Sequence, residues 1–136
     1  MWRKNLGIQV ELKNEEWKVF QKTRQDKNYM VARAGWIADY VDPMTFLDTF
    51  TSKSGNNDPG YNSPDYDAKI AAAKKEADPA KRMKILHEAE DILMNDMPIA
   101  PIYNYTNIVC VKDYVKGIHK SPLGFVFFEK AYVDKH

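Results

Sequence analysis

YMVARAGWIADYVDPMTFLDTF, residues 29–50, decides how this chain is read. It opens with the period of a strand, Tyr29, Val31 and Arg33 on one side and Met30, Ala32 and Ala34 on the other,. At Gly35-Trp36 the period breaks, and Asp39 and Tyr40 follow at once. An indole, an acid and a phenol therefore gather at the carboxyl end of a strand. In open α/β sheets ligands lie beside those ends, so the position suits a binding site better than a core. Asp42-Pro43 then reads as an N-cap with proline in the first helical position, starting a short helix that turns Phe46, Leu47 and Phe50 inward.

Working outward, residues 6–12, LGIQVEL, alternate as a second strand. Asn14 is the expected N-cap of the helix that follows, with Glu15 and Glu16 in its first turn where the dipole favours negative charge. Trp17, Phe20 and Arg24 fall at helical spacing, and the helix is expected to end near Asp26, Lys27 and Asn28. Strand, helix and strand make a βαβ unit with a crossover long enough for parallel, right-handed pairing. The fold class is α/β.

Residues 51–62, rich in Ser, Gly, Asn and Pro, form the longest loop. Ser63-Pro64 opens a helix with Tyr66, Ile70, Ala73 and Ala77 on one stripe. Asp78-Pro79 ends it and opens another, whose apolar face carries Met83, Leu86, Ala89, Ile92, Leu93 and Met97. The two form an αα-hairpin. Pro98 and Pro101 force an extended segment, and residues 102–111 read as one or two strands with Tyr103 and Tyr105 on a shared face. Cys110 packs there as a small hydrophobe. Gly117, Pro122 and Gly124 divide the tail, and the FVFF of residues 125–128 is a short apolar strand in need of cover.

At 136 residues the chain has the size of one domain,. Its 20 basic and 19 acidic residues are interspersed, giving a net charge of +1 without the basic face that nucleic acids or membrane surfaces require,. There is no run of 18 apolar residues and no signal peptide. The single cysteine cannot form an internal disulfide and leaves the redox compartment open,. His87-Glu88 begins like HExxH, but position 91 is Asp, so the zinc pair is missing,. No nucleophile motif, phosphate loop or dinucleotide fingerprint occurs, so neither an enzyme nor a cofactor is expected.

Asp39 and Asp42 lack the further ligands a metal needs. Asp42 is explained as a cap. Asp39 is left beside Trp36 and Tyr40, able to hold a cation such as an amine. Arg33 stands within an otherwise apolar strand, and with Arg24 it offers a guanidinium fork for a carboxylate.

RAGWIADYVDPMTFL, residues 33–47, resembles the carboxyl-terminal part of the extracytoplasmic oligopeptide-binding proteins of ABC importers, in the family of dipeptide, oligopeptide and nickel binders. LGIQVELKNEEWKVFQKTR, NDPGYNSPDYD, RMKILHEAEDILMNDMPIAPIYNY and the closing residues 132–136 extend the resemblance over nearly the whole chain, less well after Gly117. It implies a two-lobed, periplasmic-binding-protein-like fold that closes on an extended peptide, in a protein several times longer than this chain. Residues 1–105 would belong to the second lobe, and residues 106–136 would return to complete the first. The resemblance implies that Asp39 meets the peptide's α-amino group and that Arg33 or Arg24, depending on peptide length, meets its α-carboxylate. Trp17, Trp36 and Tyr105 would line the cleft.

The implied partners are an oligopeptide and a membrane permease, outside the cytoplasm. The unpartnered apolar tail further predicts dimerisation or swapping. Two other readings compete: a protein of the same family for another ligand, such as a dipeptide, nickel chelate or sugar, and a small interaction domain built on the helical hairpin. The second would need an exposed apolar groove on the hairpin and a core complete without FVFF.

Overall fold

The computed structural model describes residues 1–135; His136 lies outside the described residues. The chain forms two compact units, Met1–Ala34 and Gly35–His136.

The first unit contains α1 (Trp2–Leu6) and α2 (Trp17–Gln25). The cap of α2 is Glu16, not Asn14: its carboxylate accepts the Lys18 and Val19 amides at 2.8 and 3.3 Å. Glu15 is occupied elsewhere, taking the Lys13 ammonium and the Thr23 hydroxyl, both at 2.7 Å. At its other end α2 stops where expected. Lys27 takes a left-handed φ of 57°, its amide donates to Arg24 O, and the Asn28 amide donates to Thr23 O, a double closure of the helix end. Trp17, Phe20 and Arg24 share a face as their spacing predicts, with Trp17 6.1 Å from Phe20 and the Arg24 guanidinium 5.8 Å above the Phe20 ring.

The flanking strands of the expected βαβ unit are absent among the described residues. Leu6 ends α1, and residues 7–16 and 31–38 form no strand. Alternation fixes which side chains share a side, but a strand also needs a neighbour to take its amides and carbonyls. The same correction covers residues 102–111, which form no strand and where Cys110 is exposed rather than packed.

The second unit holds the core. α3 (Met44–Leu47) runs into a 3-10 turn (Asp48–Phe50), then α4 (Pro64–Lys75) and α5 (Pro79–Asp96) form the expected hairpin. Ser63 Oγ accepts the Tyr66 amide, and Asp78 Oδ1 accepts those of Ala80 and Lys81. Each cap precedes a proline whose missing N–H costs nothing at a first turn. Met44, Leu47, Tyr66, Ile70, Ala73, Leu86, Ala89 and Leu93 bury together, so the two apolar stripes and α3 close on one another. Ala77 falls beyond the end of α4. Phe46, expected inside, is 45% exposed, and its neighbour Thr45 is buried instead. A single turn is too short for helical period to choose a face.

The intervening loop is stapled by Asn57, whose side chain donates to Thr51 O and Tyr61 O and accepts the Tyr61 amide. After α5, an extended run leads to two short antiparallel pairs nested one inside the other: β1 (Val115–Lys116) with β4 (Tyr132–Val133), and β2 (His119–Lys120) with β3 (Val126–Phe127). Gly117, at φ 74°, sits where a Cβ would come within 1.9 Å of Lys130 O, so only glycine fits that bend,. FVFF does contribute a strand, β3, but Phe125 and Phe128 stay exposed.

Candidate functional site

The site is a strap, residues 35–42, anchored at its far end by the αα-hairpin. Asp42 acts as the expected cap: its Oδ1 accepts the Met44 amide at 2.8 Å, and Pro43 already has helical dihedrals. The same carboxylate is gripped by Arg82 of α5, Nη1 to Oδ2 at 2.7 Å and Nη2 to Oδ1 at 2.8 Å, across 40 residues of sequence. The guanidinium first, and the Met44 amide second, hold the Asp42 carboxyl below the usual range. The Tyr40 phenol is pushed up, by partial burial first and then by the carboxylates of Asp48, Asp42 and Asp39.

Asp39 is held by its backbone. Its amide donates to the Oγ1 of buried Thr45 at 3.1 Å. Its carboxylate is exposed, and among the described residues it enters no hydrogen bond or ion pair. Trp36 and Tyr40, 40% and 44% exposed, stand on the same strap. Beside Tyr40 an open recess of about 460 Å³ is lined by Ala38, Val41, Phe46, Pro122 and Leu123 as well. The arrangement offers a fixed negative charge with aromatic flanks next to apolar space. It has the parts for holding an organic cation, and no group of three or more potential metal ligands occurs among the described residues.

The six residues singled out from the sequence fall in both units. Trp36, Asp39 and Tyr105 belong to the second, where Tyr105 lies in the extended run with its ring 4.9 Å from that of Tyr103. Trp17, Arg24 and Arg33 belong to the first. Trp17 and Arg33 are exposed, while Arg24 is half-buried and donates to Gln21 Oε1 at 3.4 Å.

Two residues of the site escaped the sequence reading, Arg82 and Thr45. Arg82 left a usable trace: with Leu86, Ala89 and Leu93 it continues the buried stripe of α5 by helical spacing, while Met83, assigned to that stripe, is 41% exposed. A charge in register with an apolar stripe needs a buried or half-buried partner. Thr45 left none.

Residues 1–58 match the family model of the bacterial extracellular solute-binding proteins, family 5 (middle part). Beyond residue 58 the chain continues to align with individual oligopeptide-binding proteins. It is 44% identical, over its full length, to the periplasmic oligopeptide-binding protein OppA of Salmonella typhimurium, of which it covers 25%. Among solved structures it is similar to the murein tripeptide-binding protein MppA of Escherichia coli, with a TM-score of 0.88 at 40% identity over 99% of this chain and 27% of that one. The complex of Haemophilus influenzae OppA with RPPGFSPFR gives 0.87 at 41% identity, over 98% of this chain and 27% of that one. The chain thus spans about a quarter of the length of these relatives. The expected class, a segment of a two-lobed α/β binding protein, holds against them, and the relatives are named as binding proteins.

Proposed function

We propose that this chain is one wall of an oligopeptide-binding cleft in an extracytoplasmic protein that delivers peptides to the membrane permease of an ABC importer. The observation that carries this is the exposed, unengaged carboxylate of Asp39 on a strap held through the Asp39 amide and the Asp42 side chain. In this reading Asp39 receives the peptide's α-amino group, and Arg33 or Arg24 receives its α-carboxylate. Trp17, Trp36 and Tyr105 cover the peptide between its ends. Residues 1–105 serve the second lobe, and residues 106–136 return to the first. The relatives, oligopeptide and murein tripeptide binders, support a peptide over other ligands.

Peptide termini pair strongly only where solvent is excluded, so one wall binds feebly and two bind well. The test is calorimetry with tri- to pentapeptides on this chain and on the Salmonella typhimurium protein carrying this chain in place of its matching quarter. Micromolar affinity is expected of the chimera and millimolar or weaker of the chain. A folded chimera that ignores peptides would overturn the reading.

A further inference from the structure

Among the described residues, the hydrogen bonds that hold the strap around Asp39 avoid its carboxylate. Asp39 is tied through its amide to Thr45, and the strap's end is tied through Asp42, which spends both oxygens on Arg82 and one of them again on the Met44 amide. Thr45 and Met44 are both buried in the core that α5 helps to close. The grip of a planar guanidinium on a planar carboxylate sets direction as well as distance, which a lysine ammonium cannot do. It also cancels the charge of Asp42. Of the two carboxylates on the strap, one is neutralised by its partner and the other faces outward.

We propose that Arg82 is a positioning residue for ligand recognition: by gripping Asp42 it fixes the strap on α5 and leaves Asp39 as its single uncompensated carboxylate, aimed at a primary amine. This rests on the reading of Asp39 as the amine's partner. Arg82 acts through Asp42 and touches no ligand. Its loss loosens the strap and frees a second carboxylate three residues from Asp39, so a peptide amine meets a mobile, doubly charged strap instead of one placed acid.

The readout is the ratio of affinities for a free tripeptide and its N-acetylated form, measured on the chimera. A role in folding alone lowers both affinities and leaves the ratio unchanged. Arg82→Gln is expected to cut the ratio at least tenfold, with Arg82→Lys intermediate. An unchanged ratio in Arg82→Gln, with the ratio abolished by Asp39→Asn, overturns the positioning role and leaves the amine reading standing. An unchanged ratio in Asp39→Asn overturns both. Should the Arg82→Gln chimera not fold, amide hydrogen exchange on the full chain decides. The Asp39 and Met44 amides are expected to exchange at least tenfold faster in Arg82→Gln, while those of Leu86, Ala89 and Leu93 hold. Uniform acceleration, or none, overturns the proposal.

Discussion

The phenol of Tyr66 donates a 2.5 Å hydrogen bond to the main-chain carbonyl of Leu47, 19 residues earlier. The ring is fully buried, so this bond closes α4 onto the end of α3 with no water to replace it. Removing only the hydroxyl leaves the carbonyl unpaired, and Tyr66→Phe is expected to cost about 1–3 kcal/mol. Tyr66→Ala adds a cavity, at about 3–5 kcal/mol. Urea unfolding checks both through a lower midpoint at unchanged slope; a Tyr66→Phe protein as stable as the parent would remove the bond from the core's account.

The same ring gives the stability profile its alkaline limb. Burial, above all, pushes the Tyr66 phenol well above its ordinary range, so the folded protein keeps it neutral where an unfolded tyrosine, at about 10, has ionised. Its contribution is whole below pH about 10 and is lost as pH rises further. Asp42 works with the opposite sign. Arg82 lowers its folded value beneath the unfolded one of about 3.9,, so its contribution is whole above that value and is lost as pH falls through the lower folded one. Melting temperatures are expected to be highest between about pH 5 and 9, with a shallower acid limb in Arg82→Gln and a shallower alkaline limb in Tyr66→Phe. Parallel profiles for the three proteins would refute the assignment.

The two helix caps of the hairpin differ in what they hold. Asp78 Oδ1 takes two amides, both at 2.9 Å, while Ser63 Oγ takes one at 3.4 Å. Asp78→Ala is therefore expected near the top of the usual range of about 0.5–2 kcal/mol, and Ser63→Ala near the bottom. Chemical denaturation that ranks them the other way would show that cap geometry does not govern the hairpin's stability.

The extended run before β1 leaves Ile102 and Ile108 more than four-fifths exposed, and the run itself forms no strand. Such an edge invites pairing. Sedimentation velocity across a hundredfold concentration range is expected to show dimers, reduced by Ile108→Lys. A monomer throughout would dismiss the swapping expectation.

What the sequence disclosed tracks how local each cause is. Ser63-Pro64, Asp78-Pro79 and Asp42-Pro43 act within one turn of themselves, and all three caps form as read. The stripes of α4 and α5 span several turns and bury as expected, apart from Ala77, Met83 and Met97, the last 60% exposed beyond the end of α5. Strand pairing depends on a partner elsewhere, and the alternation of residues 6–12 and 29–34 carries no information on whether one is present. The site divides the same way. Asp39 stood out because no cap or core role explained it, whereas the 40-residue reach from Arg82 to Asp42 exists only once α5 has packed.

Asp39 yields the sharpest test of the cleft. Its carboxylate is exposed in this chain, and in a closed cleft it would lose water and gain an ammonium. Desolvation then cancels much of the attraction while both partners are present, and removal of one strands the other. In the chimera, Asp39→Asn is expected to weaken free tripeptides by about 3–5 kcal/mol, roughly two to four orders of magnitude in affinity. N-acetylated peptides bring no ammonium and should change little. High salt is expected to erode the difference only slightly, because a shut cleft screens poorly; a strong salt dependence would place the pair in open solvent, and equal weakening of both peptides would take the α-amino group away from Asp39 altogether.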